Sequence, residues 1–158
     1  MTETKIALAL GGNIGDVSQT FLNAAEWLGR SGMGSVKMSS FYKTAPVGCE
    51  PGAPDFLNAA LIGVWQDSPE ELLELCRSLE ERAGRPSAHE RNVARTLDID
   101  IVLFGDLMQD NLELTIPHKD ATGRLFVLQP LAEIAPDWIF PDTLLSVAGH
   151  LKKLQQFF

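Results

Sequence analysis

The chain has 158 residues, 45% of them hydrophobic, and 13 Lys and Arg against 21 Asp and Glu, a formal net charge of −8. Such acidity argues against a general binder of nucleic acid or anionic membrane, because both are held by an excess of cationic side chains. The length suits one domain over residues 1–158 that buries about 70% of its unfolded surface without staples. Cys49 and Cys76 form no C-x-x-C pair and indicate no disulfide framework. The start "MTETKIALALGG" is too short and too polar for a signal peptide, and no stretch approaches a membrane span. A cytoplasmic location is expected.

In chain order, Lys5 to Leu10 reads as a short apolar strand that ends in the turn "GGN". Asp16 or Ser18 caps a helix to about Arg30, with Phe21, Leu22, Ala25 and Leu28 on one face, and Gly29, Gly32 and Gly34 end it. Ser35 to Tyr42 alternates as a second strand. "TAPVGCEPGAPD", Thr44 to Asp55, is a Pro- and Gly-rich loop. Phe56 to Val64 is a third strand. Ser68, with Pro69 at the first position and Glu71 at the capping-box position, starts a helix to about Arg82. Leu72, Leu75 or Cys76, and Leu79 face inward on it. "GRPSAHERNVAR" is a second irregular segment, and a fourth strand follows. The order βαββαβ predicts an α+β fold, a ferredoxin-like two-layer sandwich. The remainder is a C-terminal helical appendage: "LELTIPH" as an added edge strand, then helices over Phe126 to Ile134 and Leu144 to Leu154.

The fourth strand, in "RTLDIDIVLFG", sets Asp98 and Asp100 among apolar residues. Strand alternation gives Leu97, Ile99, Ile101 and Leu103 one face, and Asp98, Asp100 and Val102 the other. The two aspartate Cα atoms then lie about 6.6 Å apart. Carboxylates that close repel one another and resist burial, so a positive group belongs between them. Five of the seven arginines, Arg77, Arg82, Arg85, Arg91 and Arg95, immediately precede the pair. Arginine forks match phosphate oxygens, and Mg²⁺ takes one or two carboxylates plus phosphates. The combination points to a metal-bound polyphosphate. The plainer alternative is an edge strand that carries charge to deter aggregation. "LGGNIGD" has neither the G-x-G-x-x-G nor the P-loop spacing, so a nucleotide here binds without either motif. Phe56, Phe126 and Asn58 suit a flat heterocycle between two rings with an amide at its edge, although core packing accounts for the rings equally well.

"SSFYKTAPVG", "PDFLNAAL", "RTLDIDIVLFG", "LTIPH" and "RLFVLQPLAEIAPD" stand in an order and spacing that resemble the 6-hydroxymethyl-7,8-dihydropterin pyrophosphokinases of folate biosynthesis. The likeness runs from Ala7 to about Asp142. It implies the βαββαβ sandwich and a reaction in which the pterin hydroxymethyl oxygen attacks the β-phosphorus of ATP and AMP leaves. It further implies two Mg²⁺ ions with Asp98 and Asp100 as their protein ligands. Carried over by motif, Phe56 and Phe126 sandwich the pterin, while Asn58 and the segment Thr44 to Val47 bond its edge. Arg85, Arg95, Thr115, His118, Lys119 and Arg124 line the ATP side, with Glu80 and the backbone at Ile101 nearby. Arg85 and Arg95 join the two aspartates as the catalytic set. The irregular segments Thr44 to Asp55 and Gly84 to Ala94 resemble closing lids. The expected partners are the two small substrates alone, with no nucleic acid and no membrane, and a monomer is expected.

Some residues depart from the family pattern. Familiar members read Arg-Trp-Gly-Pro-Arg where this chain reads "RNVAR", so Asn92 replaces an aromatic. Ser87 and Glu113 stand where basic residues are common, Lys119 where some members have tyrosine, and Phe56 where tyrosine is common. A catalytically weakened pterin- or nucleotide-binding relative is therefore the alternative function. An RNA-binding module of the same topology is disfavoured by the charge and by the lack of paired aromatics on the acidic strand.

Overall fold

The computed structural model of the chain describes residues 3–45, 55–84 and 96–157. Its elements are β1 (Thr4–Gly12), α1 (Val17–Arg30), β2 (Gly34–Met38), β3 (Tyr42–Thr44), β4 (Phe56–Trp65), α2 (Pro69–Arg82), β5 (Asp98–Phe104), β6 (Gln109–Asp110), β7 (Thr115–Ile116), α3 (Leu125–Ile134) and α4 (Val147–Gln155). Both first helices start on the predicted caps. Asp16 accepts from the Gln19 N–H, and Ser68 from the Glu71 N–H with Pro69 next to it. Each cap satisfies an amide that has no partner within its helix.

The main sheet runs β2-β4-β1-β5, with β3 also paired to β4, and every pairing is antiparallel. This is the order a βαββαβ ferredoxin-like fold requires. The predicted second strand is broken into β2 and β3, and Ser39 supplies the reason. Its Oγ accepts the Ala60 N–H at 2.9 Å, in a position a ladder carbonyl would otherwise take. The Ser39 N–H still donates to Ala60 O at 2.8 Å, so the ladder loses the carbonyl side of this pair, and regular pairing resumes at Tyr42.

One face of the sheet, with Ile6, Leu8, Leu10, Leu61, Ile99 and Ile101, packs on α1 and α2. The buried residues of α1 are Val17, Phe21, Ala24 and Leu28, spaced for one helical stripe. Leu22, predicted inward, is 51% exposed because that stripe centres on Phe21 and Ala24. On α2 the inward residues are Leu72, Cys76 and Leu79, which resolves the choice between Leu75 and Cys76. The opposite face, with Ala7, Ala60 and Val102, is covered by α3 and α4.

Strict alternation fails once along β5. Ile101 pairs with Leu8 and Leu103 with Ala7, so Val102 is an extra residue opposite the Ala7–Leu8 step. Leu103 therefore joins the α3 face and Phe104 the α1 face. A bulge of this kind reverses the facing of everything beyond it and leaves the aspartates where alternation put them. The "LELTIPH" stretch does not join the main sheet: β7 pairs with β6 in a separate two-stranded ribbon. The last helix starts at Val147 on the Ser146 cap, later than predicted, with Leu144 in the left-handed region at φ 63°. No helix among the described residues is long and apolar enough to cross a membrane.

Candidate active site

Register alone aligns a row of residues across one end of the sheet. Asp98 pairs with Gly11, Gly11 with Asn58, and Asn58 with Tyr42. Paired residues in adjacent strands share a face, so Asp98, Asn58 and Tyr42 all project to the α3 side. The next row adds Asp100 beside Ala9. Neighbouring strands lie about 4.8 Å apart, which separates Asn58 and Asp98 by about 10 Å across β1. Between them Gly11 has no side chain, and a methyl there would stand 3.4 Å from Asn58 Oδ1. The row is thus a shallow strip with an amide at one end, a carboxylate at the other and a bare floor.

β5 is an edge strand, as the aggregation-deterring alternative requires. Its outer side is nevertheless covered in a specific way. Glu80 of α2 accepts the Ile99 N–H at 2.8 Å, and the His118 N–H donates to Val102 O at 3.1 Å. Between these two ties lies a cleft of about 350 Å³ whose walls include Glu80, Asp98, Asp100, Ile101, Thr115, His118 and Lys119. Seven predicted metal- and ATP-side positions therefore converge on one concavity. A deterrent edge needs no such concavity.

Among the described residues, His118 stands beside Asp100. Its Nδ1 accepts the Asp120 N–H at 3.2 Å, which leaves Nε2 to carry the proton in the neutral ring, and Nε2 lies 3.8 Å from Asp100 Oδ1. Thr115 Oγ1 donates to Asp110 Oδ1 at 3.0 Å across the β6–β7 ribbon. Cys76 lies at the back of the cleft; burial, with Glu80 and Asp100 adding, pushes its thiol well above the ordinary range and keeps it protonated. Among the described residues, the buried side-chain oxygen without a hydrogen-bond partner is Thr96 Oγ1, two residues before Asp98. Such orphans are uncommon and gather at functional sites.

Asn58, Thr44 and Phe56 lie together at the other end of the strip. Asn58 is buried, 6% exposed, and its Nδ2 donates to Thr44 Oγ1 at 2.8 Å. That bond orients the amide. Phe56 pairs with Thr44 at the start of β4. Phe126, in the first turn of α3, is 39% exposed, and the Arg124 guanidinium lies 5.5 Å from its ring. Arg124 also reaches Asp120 at 3.4 Å. Val47, Arg85 and Arg95 lie outside the described residues, as do Ser87 and Asn92.

One residue of the strip carries little sequence signal. Gly11 reads locally as a turn glycine, and only the pairing of three strands reveals it as the floor of the strip. Arg77, one turn before Glu80, lines the cleft and pairs with Glu113 at 3.7 Å. Arg77 is one of the five arginines that the sequence sets before the acidic strand, and among the described residues it is the one of them that lines the cleft.

Comparison with known proteins agrees with this fold. The sequence model of the 7,8-dihydro-6-hydroxymethylpterin-pyrophosphokinase (HPPK) family matches residues 7–136. A 2-amino-4-hydroxy-6-hydroxymethyldihydropteridine pyrophosphokinase of Synechocystis sp. is 40% identical over 135 residues, 85% of this chain and 68% of that protein. The mitochondrial folate synthesis bifunctional protein of Arabidopsis thaliana is 36% identical over 143 residues, 90% of this chain but 26% of its own length. Among solved structures, wild-type HPPK-DHPS of Plasmodium falciparum with pteroate superposes with a TM-score of 0.72 at 14% identity, covering 96% of this chain and 42% of that one. At that identity the superposition speaks for the fold, while the sequence matches speak for descent. The chain belongs to the 7,8-dihydro-6-hydroxymethylpterin-pyrophosphokinase family.

Proposed function

We propose that the strip from Asn58 over Gly11 to Asp98 seats 6-hydroxymethyl-7,8-dihydropterin and that the adjoining β5-edge cleft seats ATP. The chain transfers the pyrophosphoryl group of ATP to the pterin hydroxymethyl oxygen and releases AMP. The observation that carries this reading is the single row in which an oriented amide and a carboxylate share one face on either side of a glycine. A flat substrate whose edge is bonded by Asn58 and Thr44 and whose ring lies against Phe56 and Phe126 directs its arm toward Asp98.

The donor set suits magnesium. Asp98 and Asp100 offer two carboxylates from one strand face, and no group of three or more His, Cys, Asp or Glu among the described residues is arranged to hold an ion alone. Phosphate oxygens and water would complete the coordination, as Mg²⁺ prefers. When bound, a pair of such ions supplies charge neutralisation along the polyphosphate and at the attacked phosphorus. Asp98 and Asp100 hold that charge beside the pterin arm. Glu80 fixes the β5 backbone between them through the Ile99 N–H. His118, Thr115, Lys119 and Arg124 orient the nucleotide, and Arg85 and Arg95 complete the catalytic set. A monomer acting in the cytoplasm completes the proposal.

The test is an incubation with ATP, Mg²⁺ and the dihydropterin, with nucleotides resolved by chromatography. Pterin-dependent AMP without ADP is the expected result. ADP would refute pyrophosphoryl transfer. The second reading, a weakened binding relative, is favoured by Glu113, whose carboxylate occupies the charge of Arg77 at the cleft mouth. It predicts pterin binding with no nucleotide consumed.

A further inference from the structure

The stretches "SSFYKTAPVG" and "RLFVLQPLAEIAPD" meet at a point where no substrate is assigned. Glu133, in the last turn of α3, accepts hydrogen bonds from Tyr42 Oη at 2.7 Å, from the Ser40 N–H at 2.9 Å and from Ser40 Oγ at 3.0 Å. The partners lie 91 to 93 residues away in sequence. Three donors converging on one surface carboxylate form a charge-assisted cluster. The tyrosine's hydrogen bond, then the Ser40 amide, draws the Glu133 carboxyl below its ordinary range, and Lys37 adds to this.

The position of the cluster gives it a consequence at the site. β3 holds Thr44, and Asn58 Nδ2 contacts both Thr44 Oγ1 at 2.8 Å and Tyr42 O at 3.4 Å. The same three-residue strand is therefore gripped by Asn58 at one side and by Glu133 at the other. α3 carries Phe126 in its first turn and Glu133 in its last, about 10 Å apart along one helix that continues through Pro130. Apart from the β3–α3 packing, Glu133 is the polar tie between the element that presents the ring-stacking Phe126 and the element that presents Thr44.

We propose that Glu133 is a positioning residue that sets the spacing between Phe126 and the Thr44–Asn58 pair, with Tyr42 and Ser40 as its anchors. The inference rests on the proposed assignment of those residues to the pterin. Because the cluster lies at the surface and away from the cleft, its loss changes pterin recognition and leaves ATP recognition intact. A role confined to stability would lower Tm and spare both substrates.

The experiment uses the full chain and compares Tyr42→Phe, Glu133→Ala and Glu133→Gln, with Phe126→Ala as reference. The readouts are KM for the dihydropterin, KM for ATP and Tm. Tyr42→Phe is expected to raise the pterin KM about three- to tenfold, the range for one hydrogen bond, and Glu133→Ala, which removes three, to raise it at least as much. The ATP KM stays unchanged, and Glu133→Gln, which keeps one acceptor oxygen, recovers part of the loss. An unmoved pterin KM in both Tyr42→Phe and Glu133→Ala, or a parallel rise in both KM values with a fall in Tm, overturns the proposal. If Phe126→Ala itself leaves pterin binding intact, the slot assignment and this inference fall together. Should Glu133→Ala fold poorly, Tyr42→Phe, which deletes one hydroxyl, decides alone.

Discussion

Gly11→Ala separates stability from activity because the two respond with opposite signs. Gly11 lies mid-row between Asn58 and Asp98, and a Cβ there meets Asn58 Oδ1 at 3.4 Å and Leu57 O at 3.9 Å, ordinary contacts that require no backbone shift. In a strand interior alanine stabilises relative to glycine by about 0.5–1 kcal/mol, since less conformational freedom is lost on folding. For a chain of this length that corresponds to a Tm unchanged or raised by about 1–4 °C. The added methyl, however, stands up from the floor of the strip and lifts a substrate that spans it by about 1 Å, a displacement that costs on the order of a hundredfold in rate. Thermal unfolding by circular dichroism and steady-state AMP release on the same preparation measure both. A pterin KM and kcat equal to wild type in a protein of undiminished Tm would refute the passage of the substrate over Gly11, and with it the geometric basis of the site.

Asp98→Ala removes a metal ligand at the end of the strip where the pterin arm lies and leaves the ring contacts at Asn58 and Phe126 in place, so AMP release falls by about a thousandfold or more while pterin affinity, measured by fluorescence titration, stays within about twofold; near-normal turnover would refute the metal role. Arg77 and Glu113 are both more than half exposed, so their pair contributes at most about 1 kcal/mol, and Glu113→Lys is expected to leave Tm nearly unchanged. The same change turns the cleft mouth positive and lowers the ATP KM by about threefold, with a steeper salt dependence that titration in KCl would reveal. Burial holds His150 below the ordinary value of 6.5, against Thr143 Oγ1 at 2.6 Å. The unfolded chain therefore takes up this proton first as pH falls. Stability declines as pH drops through 6.5 and levels off below the folded value. Tm measured across that range in His150→Gln should decline less than in wild type.

Much of the fold was legible because its signals are local. Asp16 and Ser68 announce two helices by their caps, and the βαββαβ order follows from alternating periodicities. The failures are equally physical. The division of the second strand depends on Ser39 reaching Ala60, a pairing invisible in either segment alone. The facing of Leu103 depends on an extra residue opposite β1, which a reading of β5 by itself has no means to detect.

For the site, sequence determined which groups exist: two carboxylates in i, i+2 on a strand, an amide in another strand, and two phenylalanines, all in a recognisable order. Tertiary structure decided their neighbours. Strand register brought Asp98, Gly11 and Asn58 into one row, helix α2 delivered Glu80 to the edge of β5, and the chain after β7 returned His118 to Asp100. These relations join positions tens of residues apart. They arise because burying the apolar faces of β1, β4 and β5 admits one register, and that register carries the polar residues with it.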